Sequence, residues 1–185
     1  MNKIRNTFII SFLFLLISEI SYPQDIRTTE TKVADLLARL PAGNIQLNDK
    51  LMGDMLLLGE AGIKQICDKI VPAGIGDDTG QRFAVESLSR FLSQKGKETE
   101  CAKWEKICIS YAIGQKDNGV KDFFMKQLQL IGGNLSAEAM KIYLVDKDNC
   151  DPALAVITAV GGNTSETILS ESLKNKDLPC AAAVM

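Results

Sequence analysis

Ile131-Gly132-Gly133-Asn134-Leu135-Ser136 returns as Val160-Gly161-Gly162-Asn163-Thr164-Ser165, and the step from Gly132 to Gly161 sets a period of 29 residues. After each block an apolar, helix-like run leads to a short charged turn, Asp146-Lys147-Asp148 in the first copy and Asn175-Lys176-Asp177 in the second. An Ala-rich run containing a Cys then follows in both. A unit of that length cannot bury all of its own apolar surface, so repeats of roughly 20 to 50 residues stack and share one continuous core.

Outward from the repeat, the apolar spacing reads as helix. Val33, Leu36, Leu37 and Leu40 share a face, and Pro41-Ala42-Gly43-Asn44 stops that helix. Further helices are expected over about Leu47–Leu58, through Ile63, Ile66, Cys67 and Ile70, and from Asp78 or Thr79 as cap through Ala84, Leu88, Phe91 and Leu92. A longer one is expected from Thr99 to Gly114, then one carrying Phe123, Phe124, Leu128 and Ile131. Two more pairs follow: Ser136–Val145 with Asp151–Val160, then Thr164–Leu173 with a run from Leu178 onward. Asp151-Pro152 suits a helix start, and Asn163 with Glu166 has the spacing of a capping box. No strand-like alternation persists, so the expectation is an all-α superhelix of about ten helices in antiparallel pairs.

The N-terminus reads as an export signal over residues 1–24: Lys3 and Arg5, an apolar run from Phe8 to Ile17, and a polar exit to Gln24. That run is too short to cross a bilayer of about 30 Å, so a cleaved leader and a periplasmic or extracellular product are expected, with no stable membrane anchor. Without Lys3, Arg5 and Glu19, 19 basic and 22 acidic residues remain. That balance carries no electrostatic footprint for nucleic acid. The remainder, 25–185, is one repeat domain. Its last run, Pro179 to Met185, begins a helix and stops without a cap, so the domain is expected to be truncated at its C-terminus.

His is absent, which removes Ser/His/Asp and Cys/His nucleophilic systems and His-bearing zinc sites. Five Cys stand at 67, 101, 108, 150 and 180 without a CxxC. Cys101 and Cys108 are about 10 Å apart along a helix, beyond disulfide reach. One distant pair is open in an oxidising compartment, but burial as small apolar residues is the expectation.

Leu58-Gly59-Glu60-Ala61-Gly62-Ile63, then Asp77-Asp78 and Arg82-Phe83-Ala84-Val85, resembles a HEAT repeat of the short, roughly 30-residue kind found in phycobilisome-lyase-like proteins. Gly59, Asp78 and Arg82 match the helix end, the turn cap and the head of the second helix; Gly132, Gly133, Gly161 and Gly162 also follow their helices. Both later units lack the Arg, and Ser93–Lys103 breaks the period. The resemblance covers Thr31 to Met185 and implies a secreted protein-binding or domain-positioning scaffold without a catalytic site. It implies, as the alternative, the N-terminal region of a larger secreted carbohydrate-active hydrolase whose catalytic domain lies downstream of residue 185.

No residue pattern assigns a catalytic, cofactor or metal site. Asp146-Lys147-Asp148-Asn149-Cys150-Asp151 lacks the Gly and Glu that a calcium loop requires. Gly74-Ile75-Gly76-Asp77-Asp78-Thr79-Gly80 has no preceding strand and places carboxylates where a pyrophosphate would approach. Glu98, Glu100 and Glu105 beside Lys97, Lys103 and Lys106 read as a solvated helix face. Trp104, Tyr111, Phe123 and Phe124 are expected to be buried between helices, with a groove-lining role as the rival.

Overall fold

Side-chain caps start several helices where the sequence supplies short polar residues. Thr28 receives the Thr31 amide ahead of α1 (Thr29–Leu37). Asn44, expected only to help stop that helix, receives the Leu47 amide at 2.8 Å and caps α2 (Ile45–Leu57). α3 (Gly59–Cys67) follows after a single residue, and α4 spans Thr79–Leu92. α5 (Glu98–Gly114) is followed by α6 (Asn118–Ile131), which Asp117 caps through the Val120 amide at 2.9 Å. α7 (Asn134–Met140) runs into a 3₁₀ turn at Lys141–Val145, and α8 (Cys150–Val160) and α9 (Gly162–Ser172) complete the order. The computed structural model describes residues 25–174 and 179–180. The segment expected to be an export signal, the chain end and most of the run expected from Leu178 lie outside them. The fold is all-α, with nine α-helices and the 3₁₀ turn among the described residues.

The helices sort into two layers. α1 packs on α3, and α5 on α7 and α7 on α9; on the other side α2, α4, α6 and α8 pack in series. Between them lies the core, with Leu51, Met55, Ile66, Leu88, Phe124, Leu128 and Met140 fully buried. Tyr111 stacks on Phe124 at 4.7 Å and Phe123 meets Phe124 edge-on at 5.4 Å. All four aromatics singled out in the sequence are buried.

Several local expectations are corrected. The helix expected over 136–145 breaks at Lys141, because Ile142, Tyr143 and Val145 are weak helix formers and the Tyr143 hydroxyl is drawn to the Ala112 carbonyl at 3.2 Å. α8 starts two residues earlier than a cap at Asp151 would place it, at Cys150 with Asn149 in the cap position. The Asn163–Glu166 box does not form: Asn163 lies inside the first turn of α9, and no side chain caps that helix. Asp78 holds the cap position of α4 but turns away, accepting from the Val71 amide at 2.9 Å and Arg82 Nε at 2.8 Å. Arg82 Nη2 donates to the Val71 carbonyl at 2.8 Å, and its guanidinium lies 4.7 Å from the Phe123 ring centre.

The repeated Gly-Gly pairs make the same joint by different means. Gly132 is extended backbone with a φ of −70° that any residue can adopt, but a Cβ there would fall 2.9 Å from Ser136 Cβ and strike the Leu128 carbonyl. Gly161 and Gly162 have space around them and instead adopt φ of +65° and +72°.

Candidate functional site

Within the first layer one neighbour contact is weak: α3 and α5 are not closely packed along their length. They are joined near their C-terminal ends, where the Tyr111 hydroxyl donates to the Asp68 carboxylate and lies 3.2 Å from the Lys64 carbonyl. Toward their N-terminal ends a groove of about 650 Å³ opens between them, backed by α2 and α4. It lies where the chain departs from its period, since Gly96, Lys97, Glu100 and Lys103 form one side of it. That irregular stretch was the signal available in the sequence. It was legible as a break in the repeat and not as a cavity.

The floor is apolar. Ile63, Leu92, Trp104 and Ile107 line it and are buried, while Leu57 stands at its lip 86 % exposed. Trp104 Nε1 donates to Ser89 Oγ at 2.9 Å, and Ser89 Oγ donates to the Val85 carbonyl at 3.1 Å, so the indole's one polar atom is satisfied inside the protein. The rim is charged. Lys97 Nζ lies 3.8 Å from the Phe91 ring centre, and Lys64 pairs with Glu60 at 2.6 Å. That pairing, chiefly the hydrogen bond from Lys64, lowers the Glu60 carboxyl below the usual range. At Leu57 the groove meets a second depression of about 400 Å³, lined by charged residues from Asp25 to Asp54. There Arg27 bridges Asp25 and Asp35, and its hydrogen bond holds the Asp25 carboxyl well below the usual carboxylate range.

Several of the described carboxylates are engaged by local donors. Glu98 accepts from the Gly96 amide at 2.9 Å, and Asp146 accepts from the amides of Asp148 at 2.9 Å and Asn149 at 3.2 Å. Glu105, read from the sequence as part of a solvated face, is buried. Its Oε1 accepts from the Gly133 amide at 2.6 Å, the Ser136 hydroxyl at 2.7 Å and the Ser136 amide at 3.1 Å. It is the cap of α7, reached from α5. Acid groups pushed upward are thiols and phenols: burial raises Cys67, Cys108, Tyr111 and Tyr143. Among the described residues no group of three or more His, Cys, Asp or Glu side chains could hold a metal ion, and no helix is long and apolar enough to cross a membrane.

Of the cysteines, Cys67 and Cys108 are buried and free and Cys101 is partly covered and free. The distant pair left open by the sequence is Cys150 with Cys180, joined as a disulfide. An apolar, half-open trough with charged edges and satisfied polar atoms is suited to holding an apolar surface. No family model matches this chain, and neither the curated proteins nor the solved structures gave a match.

Proposed function

We propose that the chain is an exported helical repeat module of HEAT-like kind that binds a protein partner or positions a neighbouring domain, with no catalytic site of its own. The observation that carries this reading is the groove between α3 and α5, where Trp104 underlies an apolar floor and Leu57 stands exposed at the lip. Aromatic and aliphatic anchors set in a concave site, with charges at the rim, are the features that dominate protein interfaces. Export has its own support: the leader-like residues 1–24 and a disulfide, a bond that persists in oxidising compartments.

The test is site-specific cross-linking in the native envelope fraction. A photoreactive residue placed at Leu57 or Lys103 is expected to give a discrete protein adduct. The same probe at Glu86, on α4 and outside the groove lining, is expected to give none. Equal labelling from all three positions, or no adduct from the groove positions, overturns the reading.

A further inference from the structure

α9 is attached to the rest of the molecule by little buried surface. It buries only Ser165 and Ile168, whereas α6 buries seven side chains. Ser165 Oγ has no hydrogen-bond partner among the described residues, although the corresponding Ser136 Oγ in the first copy is bonded to Glu105. The ion pair of Lys141 with Glu171 at 2.9 Å is solvent-exposed and holds the helix weakly. The chain enters α9 through Gly161 and Gly162, both at positive φ, a joint that only glycine accommodates without strain.

Beyond α9 the chain is fastened covalently. Cys180 is bonded to Cys150 in the first turn of α8, with Cα atoms 5.9 Å apart and a sequence separation of 30. Both sulfurs belong to buried residues. We propose that this disulfide is a latch that keeps α9 docked on α7 and α8. When it opens, α9 swings out as a unit about Gly161-Gly162 while α1 to α8 stay folded. Opening requires a dithiol reductant: the S–S bond takes up two electrons and two protons to give thiols on Cys150 and Cys180, and the dithiol closes to its own disulfide. The freed Cys150 thiol has an acceptor in place, the Leu144 carbonyl 3.0 Å away, so it stays with α8 while the segment bearing Cys180 departs. The remaining described cysteines are free thiols, so reduction acts at one place among them.

Hydrogen exchange read by mass spectrometry tests the latch on the whole chain as purified, after dithiothreitol, and as the Cys180→Ser variant. Amides of 162–172 are expected to exchange about ten-fold faster or more in the reduced and variant forms, while those of 118–131 change by less than about two-fold. Unchanged exchange over 162–172 in the variant overturns the proposal, because α9 then docks without the bond. Acceleration over 118–131 together with 162–172 overturns it as well, because the whole fold then opens at once. Free thiols at Cys150 and Cys180 in the oxidised chain, detected by alkylation and intact mass, also overturn it.

Discussion

Glu105 is held by three hydrogen bonds to a single carboxylate oxygen. A buried carboxylate is tolerated only where donors replace its water, and Gly133 and Ser136 supply three within 3.1 Å of one oxygen. Glu105→Ala strands the Gly133 amide and the Ser136 hydroxyl, while the Ser136 amide keeps its bond to the Gly133 carbonyl at 2.9 Å, and is expected to lower unfolding free energy by about 3 kcal/mol. Glu105→Gln keeps a carbonyl oxygen in place and is expected to lose less than about half of that. Urea denaturation of the two variants decides the matter; equal losses would mean that volume rather than capping sets the effect. The burial was half legible in the sequence. Cys101, Glu105 and Cys108 stand at i, i+4 and i+7, which puts Glu105 on the apolar stripe of α5, but the lysines at 103 and 106 made the local charge pattern look solvated. What the chain order could not show is that the Gly132-Gly133 joint brings uncapped amides across to that stripe. Nor could it show that two Gly-Gly pairs with the same neighbours differ in φ, since that depends on whether Ser136 or open space lies beside the first glycine.

At the scale of the helices, the apolar period placed nearly every element, because each helix has one face turned to a shared core and that face repeats at helical spacing. It failed where a neighbour's demand overrode the local pattern, as at Tyr143, whose hydroxyl reaches the Ala112 carbonyl and winds 141–145 tightly. The spread of α3 from α5 is a property of a pair and left only an indirect trace, the irregular Ser93–Lys103 stretch. Tyr111 is the pin of that pair. Its hydroxyl meets Asp68 and approaches the Lys64 carbonyl, so Tyr111→Phe removes the one polar tie described between the two helices at that end. The ring still stacks on Phe124, and the expected cost is about 1 to 2 kcal/mol. Looser closure at one end changes the groove at the other, and Trp104, the chain's single tryptophan, lies in its floor. The emission of native Tyr111→Phe protein is therefore expected to shift to longer wavelength. A variant that loses stability with unchanged emission would show that Tyr111 braces the core without setting the groove.

Across the whole molecule, two helical layers enclose a core that holds several ionisable groups in their neutral forms. Cys67, Cys108, Tyr111 and Tyr143 come from α3, α5 and the 3₁₀ turn, and burial is the first cause of the upward shift at each. In the unfolded chain thiols lose their protons near a pH of about 8.5 and phenols near about 10. Below those values both states hold the protons, and these groups add no pH dependence. Above them the unfolded chain has released protons that the folded chain still binds, so stability falls as pH rises, by about 1.4 kcal/mol per pH unit for each group held neutral. Urea midpoints followed by circular dichroism are expected to be flat from about pH 7 to 8, to fall from about pH 8.5, and to fall more steeply beyond about pH 10 as the two tyrosines join. The double variant Cys67→Ala, Cys108→Ala separates the two contributions. It starts less stable because two packed sulfurs are lost, yet it is expected to weaken the first decline and keep the break near pH 10. Midpoints that stay level through about pH 10 would mean that water reaches these side chains in the folded state, and that the core between the two layers is open rather than dry.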